Sequence, residues 1–417
     1  MSLRRRAFVL GGHITPFIGK HHPDFIWKRH PDFGTRENPT LEDYILKAVT
    51  GALESTGTPA SAIEKGWIGN FCGELFSNQG HLGPAVAGAH PDLLFKPFMR
   101  VEGACASGGL AFVSALESIQ AGTDVTLVVG AEVQTTVSAR EGGDFLARAS
   151  HYRRQRPIDD FTFPAMFANR NMHYQQATDL TAADLAKVSA KAYANANKNP
   201  LAHMRAVTMT ETDILEGKNP QFLSNEALKP YLHMSDCSQV SDGGAAMIVV
   251  SEEGLAKLGK TPADAIEVLS IGHATGNLFV DADPLRLLTT EAAVSKAYEG
   301  AGLKAEDVQI AEVHDCFTIT EVLMYEAIGL AAHGKGAHLI REGHTNLEGK
   351  IPVNTGGGLV GYGHPVGATG IKQVLEIFRQ MKGQCGDYQV SSTPEVGLCA
   401  NMGGDDKTAV VTVLANR

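Results

Sequence analysis

A chain of 417 residues is longer than one hydrophobic core normally serves, so its length predicts two packed halves or domains. Hydrophobic residues make up 43% and charged residues 20%, which is the balance of an ordinary globular protein. The net charge of −10 argues against a general nucleic-acid-binding surface, so no nucleic-acid partner is expected.

The cysteines and the start of the chain indicate a compartment. Six cysteines are scattered without a CxxC pair or a metal-ligand spacing, so reduced thiols in a cytosol-like compartment are expected. The basic start is followed by an apolar run that stops at Gly11, too short for the core of a signal peptide. No apolar stretch is long enough to cross a membrane. These features predict a cytoplasmic protein with no membrane insertion.

Strand-like and helix-like segments alternate through the first 130 residues. Residues 41–56 have helical spacing, with Thr40 as N-cap, Asp43 at the capping-box position and Gly57 beyond the end. Strands are expected at residues 6–11, 63–69 and 125–129, and a second helix at residues 110–120. This alternation predicts a layered α/β fold.

A similar unit occurs in the second half of the chain. Residues 290–302 are again helical and end in Gly, and a strand is expected at 310–313. Directly after each helix, residues 57–63 and residues 302–308 align without a gap. Such similarity is typical of a duplicated half, although one helix–loop–strand unit is common enough for coincidence.

The segment between the halves differs in composition. Residues 138–234 are rich in charged, aromatic and amide side chains, and we interpret them as an inserted cap or loop domain. The first half is then 1–260, including this insertion, and the second half is 261–417. Most aromatic side chains of the cap are expected to pack its core rather than to line a pocket. They are Phe161, Phe163, Phe167 and Tyr174.

Cys105 lies in a turn of small residues, 101–109, directly before the helix predicted from Leu110. A thiol at the start of a helix is near backbone N–H groups and the positive end of the helix dipole, and both lower its pKa. On these residues alone, a small buried side chain in a tight turn is the more common explanation.

His314 follows the strand predicted at 310–313 and precedes a helix expected from Thr318. Side chains at the C-terminal ends of strands project into the crevice where α/β folds usually hold ligands. A buried or capping histidine is an equally good explanation of the pattern. Cys316 in the same segment is interpreted as structural.

His364 is held between Gly and Pro in a stretch, 354–370, that contains seven glycines in seventeen residues. Such a stretch brings backbone close to a ligand, and a helix is expected from Ile371. The alternative is a phosphate-binding loop without catalysis. There is no GKS or GKT, so a Walker-type nucleotide site is not expected.

Residues 397–406 are predicted as a last Gly-rich turn, followed by a strand at 408–413. Cys399 either packs in this turn or meets Cys105 in space, because nearly three hundred residues separate the two thiols.

Two thiols and two histidines in Gly-rich turns have a coherent use in acyl transfer. A thiolate takes the acyl group, and a histidine activates the thiol. A second base removes a proton next to a thioester carbonyl, and hydrogen-bond donors stabilise the enolate and the oxyanions. This chemistry needs no metal, so no metal site is expected.

Four motifs in this order resemble the thiolase family, and within it the branch related to sterol carrier protein 2 thiolase. They are the turn around Cys105, the segment His314-Asp-Cys-Phe, the segment Gly363-His-Pro-Val-Gly-Ala-Thr-Gly, and the turn at Cys399. The His-Asp-Cys-Phe segment is specific to that branch, because the commoner thiolases have Asn-Glu-Ala-Phe there. The resemblance covers nearly the whole chain.

The resemblance implies a five-layered α/β/α/β/α thiolase fold of two similar halves, with a loop domain over the site. It implies that Cys105 is the acylated nucleophile, His364 its base, and Cys399 the acid/base acting on the second acetyl-CoA. His314, with His364, would stabilise the thioester enolate. The backbone N–H groups of Cys105 and Asn401 would form the other oxyanion hole.

The resemblance also implies acyl-CoA and CoA as substrates, no permanently bound cofactor, and a homodimer or homotetramer. Some relatives work with an accessory partner protein, which is a further expectation. Two departures matter. Cys399-Ala-Asn401 stands where the family has Cys-x-Gly, but Asn keeps its N–H and tolerates unusual dihedrals. The segments 354–358 and 361–363 also differ from the family pattern and affect acyl or CoA contacts, not His364.

The leading interpretation is an acyl-CoA C-acyltransferase that cleaves 3-ketoacyl-CoA, or condenses acetyl-CoA units, through an acyl-Cys105 intermediate. A one-way condensing enzyme would lack the second catalytic thiol, so the presence of Cys399 argues against it. A non-catalytic thiolase-like protein that binds acyl-CoA or lipid would form no thioester at Cys105.

Overall fold

Strands and helices alternate along the chain in the computed structural model, which describes residues 2–217 and 219–417. The strands in this part of the chain are β1 (Ser2–Ile14), β2 (Lys65–Gly69), β3 (Phe98–Val101), β4 (Val125–Glu132), β5 (Gly243–Ser251), β6 (Ile266–Thr275), β7 (Ile310–Val313), β8 (Val396–Gly403) and β9 (Thr408–Ala415). The helices are α1 (Leu41–Thr56), α2 (Gly73–Phe76), α3 (Leu82–Ala87), α4 (Ser107–Gln120), α5 (Ala139–Leu146), α6 (Tyr152–Gln155), α7 (Thr162–Ala177), α8 (Ala182–Lys198), α9 (Glu211–Leu215), α10 (Glu252–Lys257), α11 (Leu288–Ala301), α12 (Thr318–Ala327), α13 (Gly336–Arg341) and α14 (Thr369–Met381).

The strands join in the order β3-β2-β4-β5-β1-β6-β9-β8-β7, and antiparallel pairing of β1 with β6 connects the two halves. We number the strands of each half in chain order. From its outer edge to its junction with the second half, the first half then has the order third, second, fourth, fifth, first. The second half has the same order, except that its third strand is reduced to one parallel bridge between Ala311 and Val353. The matching order confirms that the fold consists of two similar halves.

The helix–loop–strand unit seen in the sequence is the local sign of this duplication. Helix α1 ends at Gly57, with φ 64° and ψ 25°, and α11 ends at Gly302, with φ 67° and ψ 29°. Each glycine takes the left-handed conformation that favours Gly at a helix end. A short 3₁₀ turn and then β2 or β7 follow in both halves.

The helices complete five layers. Helix α1 packs on the outer side of the first half of the sheet and α11 on the outer side of the second, while α4 and α14 pack against each other between the halves. Nearly every residue of α14 is buried, as expected for a helix enclosed on all sides. This is the predicted α/β/α/β/α arrangement, with its two central helices beginning at the candidate site.

The insertion lies between β4 and β5 and contains α5 to α9. Helices α7 and α8 pack on α12 and α13 of the second half. Phe167 and Tyr174 are fully buried in this contact, and Phe161 and Phe163 are partly buried against it, so these side chains pack a core as expected. The limits 138–234, and the division of the chain after residue 260, stay predictions.

The last predicted turn differs from the structure. Most of residues 397–406 belong to strand β8, and only the short connection to β9 is a turn. Cys399 lies inside this strand, opposite Glu312 of β7 and Thr412 of β9. Its side chain is buried in the core formed with α14. The glycines of this segment serve close packing of a strand end, not a wide loop.

Among the described residues, no helix has both the length and the apolar character that crossing a membrane requires. The cytoplasmic location stays a prediction.

Candidate active site

Cys105 is presented by a strained turn. It lies in the 3₁₀ turn Ala104–Ala106 between β3 and α4, and Ala104 has a φ of +52°, a conformation that costs energy for a residue with a Cβ. The Ser107 hydroxyl accepts from Gly103 N (3.0 Å) and donates to the Ala104 carbonyl (2.7 Å). These bonds hold the turn closed, so that Cys105 is fixed at the beginning of α4.

Cys105 is also the one accessible thiol. The structure describes all six cysteines, and five of them are buried, whereas Cys105 is partly exposed. A group that attacks an incoming substrate has to be reached by it, so accessibility singles out this thiol. No cysteine forms a disulfide in the structure.

The ring of His364 is oriented by the residues that follow it. Its Nδ1 lies 2.7 Å from the Thr369 hydroxyl oxygen, which lies 3.1 Å from the Pro365 carbonyl oxygen. A carbonyl only accepts, so the hydroxyl donates to Pro365 and accepts the Nδ1–H of His364. Nε2 then carries a free lone pair, and this buried atom has no hydrogen-bond partner among the described residues. His364 is therefore set up as a base.

The two histidines and the thiol converge. Cys105 Sγ and one ring nitrogen each of His314 and His364 all lie within 4.8 Å of one another. The two rings pack edge to face, with centroids 5.1 Å apart. Because α4 and α14 both begin beside this cluster, the positive ends of two helices favour negative charge there.

Asn401 reaches the cluster through its side chain. Its Oδ1 accepts from Gly109 N (3.3 Å), which identifies the other amide atom as nitrogen. Nδ2 lies 3.2 Å from the Cys105 carbonyl oxygen and 3.3 Å from His314 Nδ1, and donates to both. Since His314 Nδ1 accepts, its proton is on Nε2. His314 is therefore a donor where His364 is an acceptor.

Burial controls the protonation of Cys105 and His364. It raises the pKa of the Cys105 thiol to about 12, against the lowering effect of the Gly404 backbone N–H. Burial and, secondarily, the positive charge of Lys372 lower the pKa of His364 to about 3. The helix start was expected to lower the pKa of Cys105, but desolvation outweighs it. Thiol and imidazole are both neutral at pH 7.

The neutral pair predicts how Cys105 responds to pH. Because its pKa is raised, only a small thiolate fraction exists at pH 7, and this fraction grows as the pH rises. We expect the rate of alkylation by iodoacetamide to rise about tenfold per pH unit from pH 7 to pH 9. Peptide mass spectrometry of the Cys105 peptide measures the rate. A rate that is already level above pH 7 would instead indicate a preformed thiolate–imidazolium pair.

Charged residues beneath the site were not recognised in the sequence. Lys372 Nζ lies 2.8 Å from a carboxylate oxygen of Glu312, and both side chains are 1% exposed. The Asp315 carboxylate accepts from Leu359 N (2.7 Å) and so ties the His314 segment to the Gly-rich loop before His364. The sequence signal for this buried charge was Lys372, which lies in the helix predicted after His364. A buried cation usually has a partner or a function.

Cys316 and Cys72 are thiols whose pKa is raised by burial and also by the neighbouring Cys105. Burial raises the pKa of Cys316 well above its usual value, and the neighbouring Cys105 raises it further. The charged groups that act on Cys399 are Glu312 and Lys372, and Cys105 is not one of them. Cys399 lies two residues before Asn401 on the same face of β8, about 7 Å away along the strand. The predicted acid/base role of Cys399 and the structural interpretation of Cys316 stay predictions.

The role of the Asn401 backbone N–H as second donor of the oxyanion hole stays a prediction. Asn401 lies within β8, opposite Val410 of β9, and meets the site by its amide side chain. The backbone N–H groups that lower the pKa of the Cys105 sulfur are those of Gly404 and of Cys105 itself. Gly404 is the first residue of the turn after β8. Gly404 is therefore a further candidate donor beside Cys105.

The same cluster has atoms that bind metals. Thiolate sulfur and imidazole nitrogen are ligands of Zn²⁺, and Cys105, His314 and His364 offer one atom each. The acyl-transfer chemistry uses these atoms as nucleophile, donor and base. The absence of a metal from the working site stays a prediction.

Comparison with known proteins agrees with this geometry. The profile "Thiolase, N-terminal domain" matches residues 32–253, and "Thiolase C-terminal domain-like" matches residues 271–416. An acetyl-CoA acetyltransferase of Methanothermobacter thermautotrophicus is 32% identical over 90% of this chain and 94% of its own. The subunit BbsB of benzoylsuccinyl-CoA thiolase from Thauera aromatica is 33% identical over 74% of this chain and 77% of its own.

More distant relatives and solved structures extend the comparison. Sterol carrier protein 2 of Gallus gallus is 28% identical over 93% of this chain and 68% of its own. Human mitochondrial 3-ketoacyl-CoA thiolase in complex with CoA superposes with a TM-score of 0.71 at 17% identity over 100% of this chain and 99% of its own. An "Ltp2-ChsH2(DUF35) aldolase" gives a TM-score of 0.77 at 21% identity over 99% and 98%. By its two matching domains and its fold, the chain belongs to the thiolase family.

Proposed function

We propose that this protein is a thiolase that carries an acyl group on Cys105, and either cleaves 3-ketoacyl-CoA with CoA or joins acyl-CoA units in the reverse direction. One observation carries the proposal: the accessible thiol lies within 4.8 Å of a histidine nitrogen in a site where His364 Nε2 has a free lone pair. A nucleophile beside an oriented base is the arrangement that covalent acyl transfer requires.

The groups of the site account for each proton in the cleavage direction. The Cys105 sulfur attacks the 3-keto carbon, and its proton passes to His364 Nε2. The carbon–carbon bond then breaks, and its electron pair leaves as the enolate of acetyl-CoA. Cys316, whose raised pKa keeps it protonated, gives its proton to the enolate carbon, while His314 Nε2–H hydrogen-bonds the enolate oxygen.

The second half-reaction restores the enzyme. The thiol of CoA loses its proton to the Cys316 thiolate, which becomes a thiol again, and attacks the thioester carbonyl of acyl-Cys105. The Cys105 sulfur leaves and takes back its proton from His364, and a shortened acyl-CoA departs. The N–H groups of Cys105 and Gly404 are the proposed donors to the carbonyl oxygen in both acyl-transfer steps. The reverse sequence is the condensation of two acyl-CoA units.

Assembly is part of the proposal. The outer edge of β3 has no neighbouring strand among the described residues. Beside it, Leu94, Phe95 and Met99 are exposed by 51%, 103% and 50%. A free edge flanked by apolar side chains favours pairing with a second copy, so we propose a homo-oligomer built on this edge. The name of the aldolase neighbour joins two components, Ltp2 and ChsH2(DUF35), which supports an accessory partner protein as a further component.

The proposal is tested by trapping the acyl group. Purified protein is incubated with acetoacetyl-CoA without free CoA, and the masses of the intact protein and of its peptides are measured. We expect an acetyl adduct on the Cys105 peptide, its absence in Cys105→Ala, and its retention in Cys385→Ala, which removes a buried thiol. Adding CoA should discharge the adduct as acetyl-CoA. No adduct with acetoacetyl-CoA or longer 3-ketoacyl-CoAs would favour a protein that only binds acyl-CoA or lipid.

A further inference from the structure

The turn between β8 and β9 packs directly on the turn Ala104–Ala106, which holds Cys105. A Cβ added to Gly403 would lie 2.1 Å from the Gly103 carbonyl oxygen and 3.1 Å from Ala106 N, so only glycine fits there. Gly404 follows with φ +64°, again a conformation that favours glycine. The position of the Gly404 backbone relative to Cys105 is therefore set by how the remainder of this turn is held.

Asp406 holds one side of the turn. It has a φ of +54°, which Asp tolerates better than most residues. Its carboxylate accepts from Thr289 N (2.8 Å), Thr290 N (3.0 Å) and the Thr290 hydroxyl (2.7 Å). These donors belong to the first turn of α11, where a negative charge is favourable. Asp406 thus fastens the turn to the outer helix of the second half.

Asp405 holds the other side. Arg170 Nε donates to its Oδ1 at 2.6 Å, and the two side chains are only 2% and 11% exposed. Arg170 Nη1 also donates to the carbonyl oxygens of Asp283 (2.5 Å) and Arg286 (3.2 Å). Since Arg170 belongs to α7, this buried pair fastens the turn to the inserted cap. Two adjacent carboxylates therefore tie one turn to two different layers.

We propose that Asp405 and Asp406 are positioning residues, which fix the Gly404 backbone against Cys105 and so set the reactivity of that thiol. Neither carboxylate is directed at the sulfur, and each acts through the turn. The proposal deepens the proposed function, on which its acylation measurement rests, and assigns a task to the Asp-Asp pair that follows Gly404. A donor misplaced by about 1 Å costs on the order of a hundredfold in rate.

The test compares Asp406→Ala with Asp406→Asn, which tolerates the left-handed backbone and keeps one acceptor oxygen. Asp43→Ala is the matched control, because Asp43 caps α1, the equivalent outer helix of the first half. The first readout is the rate of iodoacetamide alkylation at Cys105 between pH 7 and pH 9. The second is the rate of acetyl transfer from acetoacetyl-CoA to Cys105, together with the KM for that substrate.

In Asp406→Ala we expect alkylation at a given pH to fall at least about tenfold, because loss of the Gly404 donor raises the pKa of the thiol. Acetyl transfer should fall about a hundredfold, with KM changed less than about threefold. Asp406→Asn should restore both rates to within about threefold of wild type. Asp43→Ala should lower the melting temperature and leave both rates unchanged.

Unchanged alkylation in Asp406→Ala, with a melting temperature lowered as in Asp43→Ala, would overturn the proposal and leave Asp406 as a helix cap alone. If Asp406→Ala does not fold, Asp405→Asn decides by the same two rates, since it removes the charge of the Arg170 pair at equal volume. Alkylation needs no substrate. A wild-type protein that fails to form an acyl adduct would therefore refute the proposed function and still allow this test.

Discussion

Replacing His364 by Ala is expected to slow acyl transfer to Cys105 by about 10³-fold, within the range of 10² to 10⁴ that a general base contributes. The reason is the neutral state of the pair. Burial raises the pKa of the Cys105 thiol to about 12, so attack requires that the proton be removed as the sulfur bonds to carbon. The free Nε2 of His364 is the acceptor available for it.

Exchange of labelled CoA into acetyl-CoA measures this step without any carbon–carbon chemistry. We expect His364→Ala to lose exchange and cleavage of acetoacetyl-CoA alike. Thr369→Val is a milder variant for comparison. It removes the hydroxyl that accepts His364 Nδ1–H and leaves the base itself in place. A loss of about tenfold is expected there. Full exchange in His364→Ala would show that Cys105 is activated by another group.

The parts of the fold that the sequence predicted well are determined by interactions between residues close together in the chain. Helix α1 begins after the Thr40 capping box and ends at Gly57, both as predicted, because capping and left-handed glycine are decided within a few residues. Residues 310–313 form β7 for a similar reason, since three of these four residues are apolar and turns lie on both sides. The duplication was visible because both halves repeat the same local signals.

The sequence predicted Cys105, His314 and His364 as site residues, because each of them lies in a turn that its own motif defines. The roles predicted for Cys399 and for the Asn401 N–H stay predictions, because they depend on strand pairing. Whether Cys399 faces the site or the core depends on where β8 begins and which residues oppose it, and spacing in the sequence does not specify this. Residues 397–406 were predicted as a Gly-rich turn, whereas Gly403 permits the end of β8 to pack on the turn that holds Cys105.

The electrostatics of the site needed the structure as well. A thiol at a helix start is expected to have a lowered pKa, but the net direction at Cys105 is upward, because desolvation of its sulfur is the larger effect. The positive charge near His364 comes from Lys372, which is buried by α14 packing between the two halves. Burial of this kind results from the assembly of five layers and cannot be derived from one segment.

Replacing Cys316 by Ala is expected to separate the two chemistries of the site. Acetyl exchange between acetyl-CoA and CoA expels a thiolate and needs no proton at carbon, so it should stay within about threefold of wild type. Cleavage of acetoacetyl-CoA expels an enolate, which takes its proton from Cys316 in our proposal, and should fall about 10²- to 10⁴-fold. Both rates can be followed in one preparation by the absorbance of acetoacetyl-CoA and by labelled CoA.

Cys399→Ala is the matched variant that tests the proposed assignment of Cys316 as proton donor. It removes a buried thiol from the core beside α14, so we expect a loss of about 1 kcal/mol in unfolding free energy and nearly unchanged rates of exchange and cleavage. The opposite pattern, with cleavage abolished in Cys399→Ala and retained in Cys316→Ala, would restore the role first predicted from the sequence. His314→Ala should resemble Cys316→Ala, since its Nε2–H serves the enolate and not the thioester. Thus one pair of assays distinguishes the proton donor, the enolate donor and the base by the step that each supports.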